Sequence, residues 1–331
     1  MSGPKGMLRR PVPASGARED IESENMMKPF DILVAGEINP DLILSGDVVP
    51  EFGQVEKLVE RAALTIGSSS AIFACGAARL GLRVAFVGVC GEDVFGRFML
   101  DQMQERNVDV QHVIRRSSGQ TGFSVILNRV ADRAILTYPG LINALQASDV
   151  SDALLQQAHH LHVASYFLQT YLQPDLPALF RRAHTFGLST SLDTNYDPSE
   201  KWIGFDELLF TTDIFFPNKP EALSIAKSND LRLAARQLAN KSKIVAIKLG
   251  EEGAVLQTGN EFLSMPAIPV HVVDTIGAGD AFDAGFLYGY LNRWDLKLSL
   301  QLAVICGSFS TQGSGGTAAQ PTLEEALAQL K

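Results

Sequence analysis

The sequence predicts an α/β fold: a mostly parallel sheet with helices on both faces, plus a small separate β-sheet. Three observations predict it. Short apolar runs alternate with segments of helical period, two strand-like stretches break that alternation, and no internal repeat or low-complexity tract interrupts the ordered part. The first run is Ile32-Leu33-Val34-Ala35, ending at Gly36. Val84 to Val87, His160 to Ala164, Leu188 to Leu192, Ile214 to Phe216 and Lys243 to Lys248 follow. Strands apolar on consecutive residues suit a sheet covered on both faces. Helical patterns lie near 70–80, 93–106, 175–186, 202–209 and 230–240, the first ending at Gly81. Phe95, Phe98, Met99 and Met103 recur at helical spacing and read as core. A last helix is announced by Thr322 and Glu325, a capping box.

The interrupting stretches are Phe123 to Asn128 and Ala134 to Tyr138, flanking residues 130–133, which read as a β-hairpin. Leu42 to Val49 supplies a further strand-like piece. Together they predict a small sheet that could act as a lid, with segments at approximately 40–62 and 110–140. Residues 1–28 are rich in Pro, Gly, Ser and charge without periodicity and read as a disordered leader before one domain over 29–331.

Composition narrows the function classes. The chain has 331 residues, 46% of them hydrophobic, enough for a large core. Its net charge of −9 argues against nucleic acid or an anionic membrane as the main partner. No apolar run approaches the roughly 18 residues of a membrane helix. Cys75, Cys90 and Cys306 are far apart and form no C-x-x-C, so they read as buried free thiols of a reducing compartment, and a cytoplasmic protein is expected.

The most informative stretch is Val273-Asp274-Thr275-Ile276-Gly277-Ala278-Gly279-Asp280-Ala281-Phe282. A strand-like approach, Ile268 to Val273, runs into a Gly-Ala-Gly turn and then a helical stretch from Ala281 to Leu291. Such a turn presents backbone N–H groups at a helix N-terminus, where the dipole favours an anion. A carboxylate at an anion site needs a task, and the obvious one is to take the proton of a hydroxyl attacking a bound phosphate. The alternative is an Asp280 that merely caps the helix.

Other constellations are weaker alone. Walker A, G-x-G-x-x-G after the first strand, G-x-S-x-G and H-E-x-x-H motifs are all absent. Asn39 and Asp41 follow the first strand, where an Asn-x-Asp pair could bind polyol hydroxyls or form an Asx-turn. Asn218 and Glu221 could hold Mg²⁺ through waters or cap the helix near Pro220. Lys248 to Gly253 is a glycine turn able to pass over a flat ligand or join two strands. His160 and His162 could share a strand face, but a metal would need a third ligand that the pattern does not offer.

The order of these motifs resembles the ribokinase-like (PfkB-type) carbohydrate kinase family over residues 31–331. Asp274 to Phe282 is similar to the family's Asp-Thr-x-Gly-Ala-Gly-Asp signature. Gly88, Gly91, Asp93 and Gly96 resemble its Gly-x-x-Gly-x-Asp-x-x-Gly run, and Asn218 to Glu221 its Asn-x-x-Glu motif. The resemblance implies a three-layer α/β/α domain with a β-sheet lid, and ATP- and Mg²⁺-dependent phosphorylation of a hydroxymethyl group. It makes Asp280 the base, with Gly277, Ala278 and Gly279 in the anion hole. It places Asn39, Asp41, Gly67, Ser68, Ile72 and Tyr166 with Asp280 around the acceptor. It gives Asn218, Lys248, Gly250, Gly253, Gly279 and Cys306 to the nucleotide side, Asn218 and Glu221 to Mg²⁺ through water, and Asp274 and Ile276 to an activating K⁺. Lids of this family often pair across a dimer, and the apolar lid strands here would allow a homodimer through the lid.

Two departures concern the acceptor. Gly67-Ser68-Ser69-Ser70-Ala71-Ile72 stands where the family has Gly-Gly followed by Asn, so Ser68 replaces a glycine and Ile72 the amide. Asp193-x-Asn195-Tyr196-Asp197-Pro198 resembles an Asp-x-Asn-x-Arg-Pro run, with Asp197 in place of Arg. An acid there points to a neutral sugar. A nucleoside, with Ile72 and Phe73 facing its base, or a catalytically silent sensor are the competing readings.

Overall fold

The computed structural model describes residues 28–129 and 132–330. The expected leader, apart from Lys28, lies outside the described residues. The chain begins β1 (Phe30–Ala35), β2 (Pro40–Ser45), β3 (Arg61–Ile66), α1 (Ser69–Arg79), β4 (Val84–Val87), β5 (Val89–Gly91), α2 (Val94–Gln104), β6 (Val108–Asp109) and β7 (Ile114–Arg116). It continues β8 (Phe123–Arg129), β9 (Asp132–Tyr138), α3 (Asp152–Leu155), β10 (Ala158–Val163), α4 (Leu176–Thr185), β11 (Ser189–Leu192), α5 (Asp206–Phe210) and β12 (Ile214–Phe215). It closes with α6 (Lys219–Ala226), α7 (Leu231–Ala239), β13 (Ile244–Lys248), β14 (Ala254–Thr258), β15 (Glu261–Met265), α8 (Ala278–Leu291), α9 (Leu296–Ser310) and α10 (Leu323–Leu327).

The large sheet has nine strands in the order β15-β14-β13-β12-β11-β10-β1-β4-β6. From β6 to β13 every neighbouring pair is parallel, and only β14 and β15 run antiparallel. Side chains alternate across this sheet with the strand period of two. In β1, Ile32 and Val34 enter one apolar core with α1, α2, α8 and α9, while Leu33 and Ala35 enter a second with α3, α4 and α5. Both faces are covered, which is why the strands read as unbroken apolar runs and why the fold has three layers.

The small sheet has the order β3-β2-β8-β9. β2 and β8 pair in parallel, Asp41 opposite Ser124, and β8 and β9 form the expected hairpin. Its third segment, β3, is absent from the sequence reading, because Arg61-Ala62-Ala63-Leu64 is exposed and has no apolar period. Residues 114–116 pair with β5 instead of joining this sheet.

One expected strand does not form. Ile268 to Val273 carries no ladder, and Val272 and Val273 are exposed. Pro266 and Pro269 cannot donate ladder hydrogen bonds, so the β-branched residues there cannot extend the sheet. The amides of Val273 and Asp274 donate to the Thr311 carbonyl at the end of α9 instead.

The histidines are core residues. His160 is flanked by the Ser189 and Ser191 hydroxyls, both 2.7 Å away, and His162 stacks on Phe73 with ring centroids 3.7 Å apart. No metal-binding cluster of His, Cys, Asp and Glu occurs among the described residues, and no helix among them is long and apolar enough to cross a membrane. All three cysteines are buried.

Candidate active site

The site lies where the parallel strands deliver their carboxyl ends, the edge at which open α/β sheets bind ligands. β1 delivers Glu37, β10 delivers Ser165, β11 delivers Asp193 and Asn195, and β13 ends on Lys248. α8 begins here one turn earlier than the apolar pattern suggests, because Gly277 takes the left-handed conformation (φ 73°) and Ala278 already starts the helix. A β-carbon at Gly277 would lie 2.7 Å from Gly316 Cα and 2.8 Å from Ile72 Cγ2, so glycine answers both the torsion and the crowding. The amides of the first turn of α8 have no partner within the helix, leaving an anion-binding N-terminus.

Asp280 sits in this turn and is only 6% exposed. Burial, followed by the charge of Asp193, pushes its carboxyl well above the ordinary carboxylate range, and Lys248 opposes them. The Ser69 hydroxyl hydrogen-bonds to it. The same hydroxyl accepts from Asn195 Nδ2 at 2.5 Å, and that amide also reaches Ser165 Oγ at 3.0 Å. Ser165 Oγ donates to Glu37 Oε1 at 2.8 Å, while Ser70 Oγ donates to Glu37 Oε2 at 2.5 Å. The serine-rich departure is therefore a hydrogen-bonded chain running from the buried Glu37 to Asp280.

Several expected contacts turn inward. Ser68 caps α1, accepting from the Ala71 amide at 3.0 Å and donating to the Glu37 carbonyl at 2.7 Å, so its hydroxyl is already used. Ile72 is buried under Gly277 and Gly316, and Phe73 is buried too, so neither presents a face to a nucleobase. Tyr166 packs against Phe167 and Phe205 in an aromatic cluster. Cys306 is buried on the α9 face that meets Gly285. Asp197 accepts from the Ser199 and Trp202 amides, both at 2.8 Å, capping its own loop. The neutral-acceptor expectation drawn from it loses its basis.

Other predicted residues do meet. Asn39 Nδ2 lies 3.4 Å from Asp41 Oδ1, and both side chains are buried. Gly67 faces them so closely that a β-carbon there would stand 2.2 Å from Asp41 Oδ1. Burial pushes the Asp41 carboxyl up to about 7, against the charge of Arg133. Asp274 accepts from the Ile276 and Gly315 amides, both at 3.0 Å, which fixes the glycine-rich 313–316 loop beneath the anion turn.

The Asn218–Glu221 pair forms a reciprocal capping box on α6, with Asn218 Nδ2 also 2.6 Å from Glu221 Oε1. Burial, then Asp193, pushes Glu221 up to about 7. Lys248 turns toward two carboxylates. Its ammonium reaches Asp193 Oδ2 at 2.6 Å and Asp283 Oδ1 at 3.3 Å, under Gly279. Burial pulls its affinity for a proton down, but Asp193 and Asp283 outweigh that and raise it. The Gly250 and Gly253 turn stands at the end of the same strand, with Gly250 exposed. Four buried carboxylates, Asp193, Glu221, Asp280 and Asp283, thus feel the charge of the one Lys248 ammonium.

Residues 30–323 match the pfkB family of carbohydrate kinases. The chain belongs to that family. It is 33% identical to an Archaeoglobus fulgidus protein described as an uncharacterized sugar kinase, over 67% of this chain and 88% of the relative. It is 26% identical to a 5-dehydro-2-deoxygluconokinase of Geobacillus thermodenitrificans, over 90% of this chain and 92% of the relative. Its fold matches that of adenosine kinase from Sinorhizobium meliloti with a TM-score of 0.81 at 27% identity, covering 91% of this chain and 99% of the other. The protein is a carbohydrate kinase of the pfkB family with the fold of its relatives.

Sequence reasoning missed three groups of this pfkB kinase. Glu37 showed itself only as a charge directly after a buried strand. Asp283 showed itself only as a second carboxylate, after Asp280, in the otherwise apolar run of α8. Arg133, in the hairpin, gave no signal, since a charge there looks like any solvated turn residue.

Proposed function

We propose that this kinase moves the γ-phosphoryl group of ATP to a hydroxymethyl group of a small sugar, with Asp280 as general base. The observation that carries this reading is the buried Asp280 in the first turn of α8, at the helix N-terminus and hydrogen-bonded by Ser69. A carboxylate with raised proton affinity accepts a hydroxyl proton more readily at neutral pH. As the P–O bond to the leaving ADP breaks, the acceptor oxygen bonds to phosphorus and its proton passes to Asp280. The first-turn amides of Gly277, Ala278 and Gly279 would face the transferred group, and Asn39 and Asp41 would orient the sugar. Mg²⁺, when bound, neutralises phosphate charge. Asn218, Glu221 and the carboxylate excess around Lys248 would hold it through water. The Gly250–Gly253 turn would border the adenine side, and Asp274 with Ile276 would flank an activating K⁺.

The small sheet fits the role of a lid. Its exposed Leu64, Ile135 and Leu136 suit pairing of two copies through it. A nucleoside acceptor remains the second reading, favoured by the likeness to adenosine kinase.

The test is ADP release with ribose, fructose, other ketoses, keto-deoxy sugar acids and nucleosides, with and without K⁺. Asp280→Asn should keep the fold and ATP binding and lose about 10²–10⁴-fold in turnover. Near-normal turnover in that variant would remove Asp280 from its role, and ADP release with none of these acceptors would point to the sensor instead.

A further inference from the structure

Asn195 stands in the middle of the hydrogen-bonded chain that joins Glu37 to Asp280. Its Nδ2 donates to Ser69 Oγ at 2.5 Å and to Ser165 Oγ at 3.0 Å. Each of those hydroxyls gives its single hydrogen to a carboxylate. Ser165 donates to Glu37 Oε1 at 2.8 Å, and Ser69 hydrogen-bonds to Asp280. A hydroxyl whose hydrogen is committed can only accept. The group between the two serines must therefore donate twice, and the amide nitrogen does so.

This pattern decides between two roles for the chain. A relay carrying the acceptor proton from Asp280 to Glu37 needs every member to take up one hydrogen and release another. The amide nitrogen is a donor only, so no proton passes Asn195. What the chain does fix is a direction. Ser69 accepts from Asn195, which leaves its own hydrogen aimed at Asp280.

The backbone supports the same role. Nine non-glycine residues among the described ones have positive φ, and three of them belong to this cluster: Ser68 (65°), Ser165 (52°) and Asn195 (52°). Ser68 also reaches Glu37 Oε1, at 3.1 Å. A left-handed backbone costs about 1–2 kcal/mol at such a residue. It persists where the surroundings over-determine it, and such residues gather at functional sites. Asn195 is held from two sides. Its backbone amide donates to Asp193 Oδ1 at 3.1 Å, and Asp193 Oδ2 is anchored by Lys248 at 2.6 Å.

We propose that Asn195 is the positioning residue of the base: it locks the Ser69 hydrogen onto one oxygen of Asp280 and leaves the other oxygen to take the acceptor proton. In the transfer step the acceptor oxygen bonds to the γ-phosphorus, and the bond from that phosphorus to the leaving ADP oxygen breaks. The acceptor proton passes to the Asp280 oxygen that Ser69 does not occupy. Asn195 and Ser69 keep their own hydrogens throughout. This assignment rests on the kinase reading given above.

The test is a double-mutant cycle on the full chain, with Ser69→Ala, Asn195→Gly and the pair, at saturating Mg-ATP and with the acceptors named above. Glycine adopts the left-handed backbone of Asn195 freely, and alanine suits the first position of α1. Each single variant lowers kcat about 10–10²-fold, the order for a reacting group displaced by up to 1 Å, while KM for ATP and for the acceptor stays within about threefold. The pair is as slow as Ser69→Ala alone, to within about twofold, because Asn195 acts through that hydroxyl. Should Asn195→Gly not fold, Asn195→Ser takes its place in the cycle with the same expected result. Serine already holds positive φ in this cluster, and its hydroxyl is too short to bridge both partners.

Losses that multiply in the pair overturn the proposal, since the two side chains then act separately. An unchanged kcat in either single variant, with the wild type active, also overturns it. So does a rise in the KM for ATP confined to the Asn195 variant, which makes that amide a nucleotide contact. These outcomes leave the kinase reading intact. That reading falls when Asp280→Asn turns over normally or when the wild type turns over no acceptor, and the positioning role then falls with it.

Discussion

Lys248 Nζ lies 2.6 Å from Asp193 Oδ2, and the pair is buried beneath the glycine turn that carries Asp280. A single ammonium here balances a cluster of four buried carboxylates. Removing it strands charge in the core, which for buried ion pairs costs about 3–5 kcal/mol. Lys248→Met is expected to lower the denaturation midpoint accordingly. It should also shift the pH profile of kcat. Lys248 lowers the proton affinity of Asp280, so its loss raises that affinity and moves the acid limb toward higher pH. Equal acid limbs in the two proteins would separate Lys248 from the base.

Gly67 is the second point of tension. A β-carbon there would stand 2.2 Å from Asp41 Oδ1 and 2.8 Å from the Asn39 carbonyl oxygen. Gly67→Ala must therefore push the Asn39–Asp41 pair aside. We expect acceptor KM to rise at least about tenfold, since a displacement of about 1 Å in a positioning group costs rates of this order or more. The KM for ATP should hold. Parallel rises in both constants would mean that the substitution disturbs the whole domain, not the acceptor contacts.

His160 sets a pH dependence of stability. Burial pushes its imidazole down to about 3, with both ring nitrogens engaged by serines. Between that value and the unfolded value of about 6.5, the unfolded chain holds a proton that the folded chain does not. Its contribution is therefore complete above pH 6.5 and is lost as pH falls toward 3. Each such proton gives a slope of about 1.4 kcal/mol per pH unit. His160→Gln can keep the serine hydrogen bonds and should flatten the stability slope between about pH 6 and 4.5 by one proton's worth. Superimposable slopes for wild type and variant would show that the imidazole is charged in the fold.

Much of this was legible in the residues. Alternating apolar runs marked the parallel sheet, because strands buried on both faces carry no polar alternation. The Gly-Ala-Gly-Asp stretch marked the turn that opens α8, where Gly277 takes the left-handed conformation and Asp280 falls in the first helical turn. Illegible parts have physical reasons too. β3 is exposed along most of its length, so no apolar period announces it. Ile268 to Val273 has strand-forming residues, but Pro266 before the run and Pro269 within it cannot donate to a ladder. Tyr166 follows Ser165 of the site in sequence, yet its side chain turns into the core, as does that of Cys306. Lys248 and Arg133 exchange the roles their positions suggest: the lysine at a strand end is locked inward, and the hairpin arginine reaches the site.

Asp41 and Glu221, each pushed up to about 7, are partly protonated at neutrality. A cationic ligand arriving among them displaces that hydrogen into the surrounding buffer. Its heat of association in a calorimeter thus includes the ionisation enthalpy of whichever buffer is chosen, so Tris and phosphate return different values for one binding event. An indicator dye mixed rapidly with the enzyme would register an acid burst before any sugar phosphate forms.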